Sequence, residues 1–342
     1  MSAVYHVLPT YSVGRRWYAA VCSGPTRIRW SILHTGTVVS VVELLAEFED
    51  QRSRLFGLAY RLLGSAEEAE DVVQDTFIRW SGVDRAAIVA PSAWLAKVVT
   101  NLCLNRLTAA RVQRERYVGS WLPEPVLTED GAGPLETAEM RDSISFGVLV
   151  LLERLTPAER AVFVLREAFG YHHREIADIL TLSEANCRQL HRRARQRVGE
   201  AEPRFRADRR QRHRLVERFV AAARDGDLSG LERLLAVDVA SWADGGGKVT
   251  TARRPVLGRD RVARYIAGGT LRYAAGMDIV VAEVNGEPSV LAWAGGVLAG
   301  VLVPEIADEQ IAVLRIVANP DKLGFLARQA ADLSHFGGPT GS

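Results

Sequence analysis

The chain is predicted to fold as a multidomain protein, two all-α domains followed by an α+β domain, and three observations carry that expectation. Apolar residues recur at helical spacing from about residue 41 to about residue 198. Within that half, two short helical patterns flank a "TLS" turn in the manner of a helix-turn-helix. Beyond about residue 235, short runs alternate with the strand period of two, and they follow two helical stretches as in α+β domains. A chain of 342 residues has room for two or three cores.

Each element has its own start and stop signals. Val41 to Leu63 repeats apolar residues at Leu44, Leu45, Phe48, Leu55, Leu58, Ala59 and Leu62, and stops at Gly64, a residue type favoured just past a helix end. Ser65 and Glu68 make a capping box for a second helix. Its apolar stripe is Ala69, Val72, Val73, Thr76 and Trp80, and its other face carries Glu67, Glu70, Asp71, Gln74 and Asp75. Pro91 opens a third helix reaching about Arg116, with Asn101, Asn105, Arg106 and Arg111 among its polar positions. Trp80 and Trp94 both fall on apolar stripes, so they are expected in the core rather than stacked on bases. Prolines and glycines in "YVGSWLPEPVLTEDGAGP" make residues 117–142 a linker.

Helical pattern resumes near Ser143, where a Thr156/Glu159 box with Pro157 opens one helix. Residues 174–180 and 183–198 form the helix-turn-helix within a second domain of 143–200, with Ser183 capping its second helix. The third domain, 207–330, is expected to hold helices at 215–224 and 228–235. Strands should follow near 237–242, 277–284, 289–303 and 310–316. Residues 1–40 are expected to be a disordered extension ahead of the first domain, 41–116, and 331–342 a tail.

Composition narrows the function classes. With 48% hydrophobic and 25% charged residues the chain reads as globular. Its longest apolar run, 290–303, is broken by three glycines and falls short of the roughly 18 residues of a membrane span. Cys22, Cys103 and Cys187 lack CxxC or CxxH spacing, and residues 1–40 lack a secretion signal; a cytoplasmic protein without metal or cofactor is expected. The net charge of +2 hides eleven arginines between positions 188 and 214, opposed only by Glu200, Glu202 and Asp208. Lysines are confined to Lys97, Lys248 and Lys322.

The helix-turn-helix points to DNA. Asn186, Arg188 and Gln189 are of the types that pair with base edges in the major groove, while Arg192, Arg193, Arg195 and Arg197 suit phosphates. Taken with "LFGLAYRLLGSAEEAEDVVQDTFIRW" and "PSAWLAKVVTNLCLNRL" before it, this order over residues 42–198 resembles regions 2 and 4 of bacterial extracytoplasmic-function sigma factors. The resemblance implies that Glu70, Asp71, Gln74 and Asp75 dock on core RNA polymerase, although composition alone would make them a solvated face. It implies that Asn101, Asn105 and Arg106 engage the minus-ten element of promoter DNA, Asn105 standing where these proteins often have aspartate. The minus-thirty-five element would fall to Ser183, Glu184, Asn186, Arg188, Gln189, Arg192, Arg193 and Arg195.

The stretch "SWADGGGKV" suggests a phosphate loop, but it lacks the GxxxxGK spacing and the following hydroxyl, and it lies between strand patterns. A tight turn with positive φ is the expectation instead. "DGGGK" at 244–248 and "NPDKL" at 319–323, with "YVGSWLPEP" in the linker, resemble the SigJ-like subgroup of these sigma factors, which carries a SnoaL-like cone domain at its C-terminus. In the linker Ser120 replaces the first proline usual there. The subgroup implies a C-terminal domain that contacts the sigma domains and tunes polymerase activity in cis. Trp121, Leu122, Pro123, Asp244, Lys248, Asn319, Asp321 and Lys322 would make that contact, and Asp244 and Lys248 in particular are expected to touch the linker or an adjoining sigma surface.

Three other readings stand beside this one. A SnoaL-type enzyme would use Asp244 as its acid, but no histidine lies between His213 and His335 and no second group converges on it, so no catalytic residue is assigned. An apolar pocket in the cone would admit a small ligand without turnover. A ligand-responsive repressor would need a dimer reading a palindrome.

Overall fold

The computed structural model describes residues 12–13, 16–17, 41–84, 87–114, 117–128, 145–199, 208–274 and 276–331. The rest of the expected N-terminal extension, most of the tail, and linker residues 129–142 lie outside the described residues. Within the extension, β1 (Ser12–Val13) and β2 (Arg16–Trp17) form a two-residue antiparallel pair.

Three helices come next: α1 (Val41–Leu63), α2 (Ala66–Gly82) and α3 (Pro91–Arg114). Gly64 ends α1 with φ +70, returning its amide to the Tyr60 carbonyl at 2.8 Å. Ser65 caps α2 as expected, its Oγ accepting from the Glu68 amide at 3.1 Å. Next come α4 (Phe146–Leu152), α5 (Pro157–Glu167), α6 (His173–Leu180) and α7 (Glu184–Val198). The Thr156/Glu159 box is complete, and Thr181, with φ 55, makes the corner between α6 and α7.

The two helical domains do not stand apart. Phe56, Leu58, Trp80 and Leu95 of α1–α3 share one buried core with Leu152, Val162, Ile176 and Cys187 of α4–α7. Trp80 has no exposed surface and lies 5.6 Å from the ring of Trp94, which is partly buried against the same core.

The C-terminal domain begins with α8 (Arg209–Arg224) and α9 (Leu228–Leu234), and continues through β3 (Leu235–Asp244), β4 (Val256–Leu257) and α10 (Arg259–Gly269). It closes with β5 (Asp278–Val284), β6 (Glu287–Ala294), β7 (Val297–Ala307), β8 (Gln310–Val317) and α11 (Gly324–Ala331). The sheet order is β4-β3-β8-β7-β6-β5, antiparallel except for β3 with β8. The single apolar run expected at 289–303 is in fact most of two strands. Gly295 and Gly296, at φ +55 and +80, turn the chain between β6 and β7. Sequence periodicity passed over α10 and α11.

Both faces of the sheet are covered, because successive side chains on a strand point oppositely. Leu302 and Ile306 of β7 face a core built with Leu215, Phe219, Leu231 and Val262 of α8–α10. Val301 and Val303 face another, made with Leu122 and Leu127 of the linker, Phe146 of α4 and Leu326 of α11. Helix α4 thus serves two cores, with Phe146 toward the sheet and Leu149 and Leu152 toward the helices.

Candidate DNA interface and linker clamp

Helix α7 starts at Ser183, whose Oγ accepts from the Asn186 amide at 3.2 Å, so this hydroxyl serves the cap. Cys187 and Ala194 are buried, while Asn186, Arg188, Gln189, Arg192, Arg193 and Arg195 are exposed along the opposite side. Glu184 pairs with Arg188 at 2.7 Å one turn on and orients it. Arg192, Arg193 and Arg195 have no acidic partner among the described residues, whereas Arg197 is bound to Glu159 of α5. A cleft of 570 Å³ beside the helix is lined by His173, Arg188, His191, Arg192 and Arg195. In it, His191 Nε2 lies 2.7 Å from Glu167 and its Nδ1 lies 3.4 Å from His173 Nε2. Burial, and then His191, hold the His173 imidazole below its ordinary pKa. The sequence did not single out this histidine pair as a site.

The expected polymerase and minus-ten residues meet each other. Asp71 and Gln74 are exposed on α2, but Glu70 is bound to Arg52 of α1. On α3, Asn101 and Asn105 are exposed, whereas Arg106 turns back to α2. Its guanidinium donates to Asp75 at 3.0 Å and to the Glu68 carbonyl at 3.2 Å, and lies 3.6 Å from Asp71.

The linker is the most enclosed part of the site: residues 122–128 are all buried. Leu127 bridges Val284 at the free edge of β5, and the Thr128 amide donates to the Glu283 carbonyl at 2.9 Å. The linker therefore extends the sheet by edge pairing. On its other side Glu124 caps α2. Its carboxylate accepts from the amides of Ala66 (2.8 Å) and Glu67 (3.1 Å) and from the Ser65 hydroxyl (2.7 Å). Tyr60 of α1 donates to the Glu124 carbonyl at 2.5 Å and accepts from the Asn285 side-chain amide at 2.9 Å. Asn285 also exchanges hydrogen bonds with the Val126 backbone. Its φ of 52, followed by 76 at Gly286, forms the β5–β6 turn.

Burial pushes the Glu124 carboxyl above its ordinary value, against the pull of its three donors. The folded protein therefore holds this proton more tightly than the unfolded chain. The resulting stability is complete below the ordinary carboxylate pKa and is lost as pH rises through the raised folded value. The melting temperature of the natural protein relative to Glu124→Gln is expected to rise as pH falls from about 7 to about 5. A difference independent of pH would contradict this account.

Asp244 holds the other end of the linker. With no exposed surface, it accepts from the Tyr117 hydroxyl at 2.5 Å, the Gly246 amide at 3.0 Å, the Leu122 amide at 2.9 Å and Lys322 Nζ at 2.8 Å. Four donors occupy the carboxylate. Lys322 also donates to the Leu122 carbonyl at 2.5 Å, and its ammonium lies 4.1 Å from the Trp121 ring centre and 4.8 Å from that of Tyr117. Asn319 caps the short turn Pro320–Lys322 and donates to the Tyr117 hydroxyl at 2.8 Å. Burial, then Asp244, raise the Tyr117 pKa, so the phenol stays a donor. Pro123 is buried in the same segment.

Crowding requires the first two of the three glycines, and a φ of +73 favours glycine at the third, Gly247. A Cβ on Gly245 would lie 2.3 Å from the Val249 carbonyl oxygen, and one on Gly246, at φ +59, would lie 2.4 Å from the Asn319 side chain. Lys248 does not reach the linker as expected. It lies on the exposed tip of the turn and pairs at 2.6 Å with Asp321, also exposed. The turn aims the Asp244 side chain inward and leaves position 248 outside, so the inward cation comes from Lys322. Glu124, Tyr117, Asn285 and Phe325 are further members of the site that the sequence reading missed. Phe325 of α11 stacks on Phe56 of α1, with centroids 5.7 Å apart, and Arg328 pairs with Glu67 at 2.5 Å.

Fold and site define a DNA-binding protein in which a C-terminal α+β domain grips the linker of a two-part helical unit. Residues 48–112 match the family Sigma-70 region 2, and residues 146–198 match Sigma-70, region 4. The ECF RNA polymerase sigma factor SigJ of Mycobacterium tuberculosis (strain H37Rv) is 40% identical over 292 residues, covering 81% of this chain and 92% of that protein. The probable ECF RNA polymerase sigma factor SigI of strain CDC 1551 is 33% identical, with 81% and 94% covered. The crystal structure of M. tuberculosis SigJ superposes with a TM-score of 0.66 at 36% identity, covering 81% of this chain and 97% of the other. The chain belongs to the extracytoplasmic-function RNA polymerase sigma factors, in the SigJ-like subgroup with a SnoaL-like C-terminal domain. Among the described residues no helix is long and apolar enough to cross a membrane.

Proposed function

We propose that this sigma factor initiates transcription by docking on core RNA polymerase through Glu70, Asp71, Gln74 and Asp75 of α2. Asn101, Asn105 and Arg106 take the minus-ten strand, and the exposed side of α7 reads the minus-thirty-five element. Its output is set in cis by the C-terminal domain. The observation that supports this tuning is the continuous buried path from Lys322 and Asp244, through Leu122, to the Glu124 carboxylate at the start of α2. The C-terminal domain thereby positions the helix that would meet polymerase. A ligand-sensing reading has less support, because this chain's own side chains cover both faces of the sheet.

Run-off transcription on genomic fragments with purified core polymerase tests the proposal. The natural protein should give promoter-specific transcripts, and Lys322→Ala should give several-fold fewer at equal folded protein. Tyr117→Phe, which keeps the ring beneath the ammonium but removes the two hydrogen bonds of its hydroxyl, to Asp244 and from Asn319, should fall between. No specific transcript from the natural protein would sink the sigma function; equal output from all three would sink only the tuning in cis.

A further inference from the structure

Helix α8 carries six arginines against one acid, Glu217, and none of that charge is absorbed by the functions above. Its first turn has no acidic residue and Asp208 makes no side-chain cap, so cations stand where the helix dipole disfavours them. Two of the arginines are used within the domain, Arg209 on Glu283 and Arg212 on Glu287 at 2.5 Å. Arg210 and Arg214 are exposed, have no acidic partner among the described residues, and line one cleft of 340 Å³ with Arg209 and His213. Like charges at i and i+4 repel on a helix, so this arrangement costs local stability. Arg218 extends the exposed row by another turn.

Position supplies the partner. Gly199, which ends α7, and Asp208, which precedes α8, are nine peptide links apart and thus separated by at most about 32 Å. That is less than one turn of B-DNA, about 34 to 36 Å. We infer that the Arg210–Arg214 face of α8 is a second DNA contact, gripping backbone phosphates about one helical turn from the groove occupied by α7. The SnoaL-like domain would then lengthen the footprint without reading sequence. The inference rests on α7 as the reading helix.

The test is the salt dependence of binding by the full chain to fluorescent duplexes of arbitrary sequence, one of about 12 and one of about 30 base pairs. On the longer duplex Arg210→Gln/Arg214→Gln should flatten the log–log salt slope by about 2, so that the natural protein gains about tenfold more than the variant between about 200 and 50 mM salt. On the shorter duplex the two should agree. Arg253→Gln/Arg254→Gln, an equal charge change at exposed positions elsewhere on the domain, should leave both slopes unchanged. An unaltered slope on the longer duplex overturns the inference. So does a loss confined to core polymerase binding, which would assign the face to an acidic protein surface. Arg192→Gln/Arg195→Gln should flatten the slope on both duplexes; if it does not, the reading of α7 fails instead.

Discussion

Replacing Lys322 by methionine is expected to lower stability by about 3 to 5 kcal/mol, because a fully buried Asp244 carboxylate loses its cation and keeps only neutral donors. The substitution also removes the hydrogen bond to the Leu122 carbonyl and the ammonium contact with Trp121. Lys248→Ala is expected to cost no more than about 1 kcal/mol, since the pair with Asp321 is exposed on both sides. Urea unfolding of the two variants in parallel checks the contrast. Equal midpoints would mean that the buried pair does not hold the linker. Lys322→Met combined with Asp244→Asn should recover part of the loss, because the double variant leaves no unpaired buried charge.

The second large effect is expected at Phe325. Truncation to alanine removes the ring stacked on Phe56 and should cost about 3 to 5 kcal/mol, as for other buried aromatic residues. The lost contact joins the last helix to the first, so hydrogen exchange should speed up in α11 and at the β5 edge before it does in α5–α7. A cycle with Phe56→Ala should show a coupling of at least about 0.5 kcal/mol, the level expected of residues in contact. Strict additivity would mean that α11 does not dock on the helical half.

The helical half was legible because its signals are local. The Thr156/Glu159 box, the Gly64 stop, the Ser183 cap and the spacing of Cys187 and Ala194 are all written within one or two turns of chain. The third domain was less so. Helix α10 alternates arginines with Val262, Ala263 and Ile266, a stripe too short to stand out, and in the sequence Gly295-Gly296 reads as a break in one apolar run rather than as a turn between two strands. The Asn285-Gly286 pair, the strongest local hairpin signal, was present and unused. For the site, spacing and resemblance brought Trp121, Leu122, Pro123, Asp244, Asn319 and Lys322 to one place. They could not show which of two nearby lysines faces inward, because the direction of a side chain at a turn is set by backbone φ and neighbouring volume. Nor could they reveal Glu124 as a member of the site or the pairing of Arg106 with Asp75, since the partners lie 58 and 31 residues away.

The grip on the linker has a consequence for how the protein comes into being. Leu122 and Glu124 leave the ribosome early, but Lys322 and Phe325, which hold them, are added about two hundred residues later. At bacterial rates of roughly 5 to 20 residues per second, the helical half, which ends near residue 199, spends about 6 to 25 s complete in sequence yet without its clasp. During that interval Leu122, Leu127 and Phe146 have no sheet to cover them. A ribosome stalled within the last domain would therefore display a sigma unit with an open apolar flank, and chaperones and proteases would meet that unit before polymerase meets the finished one.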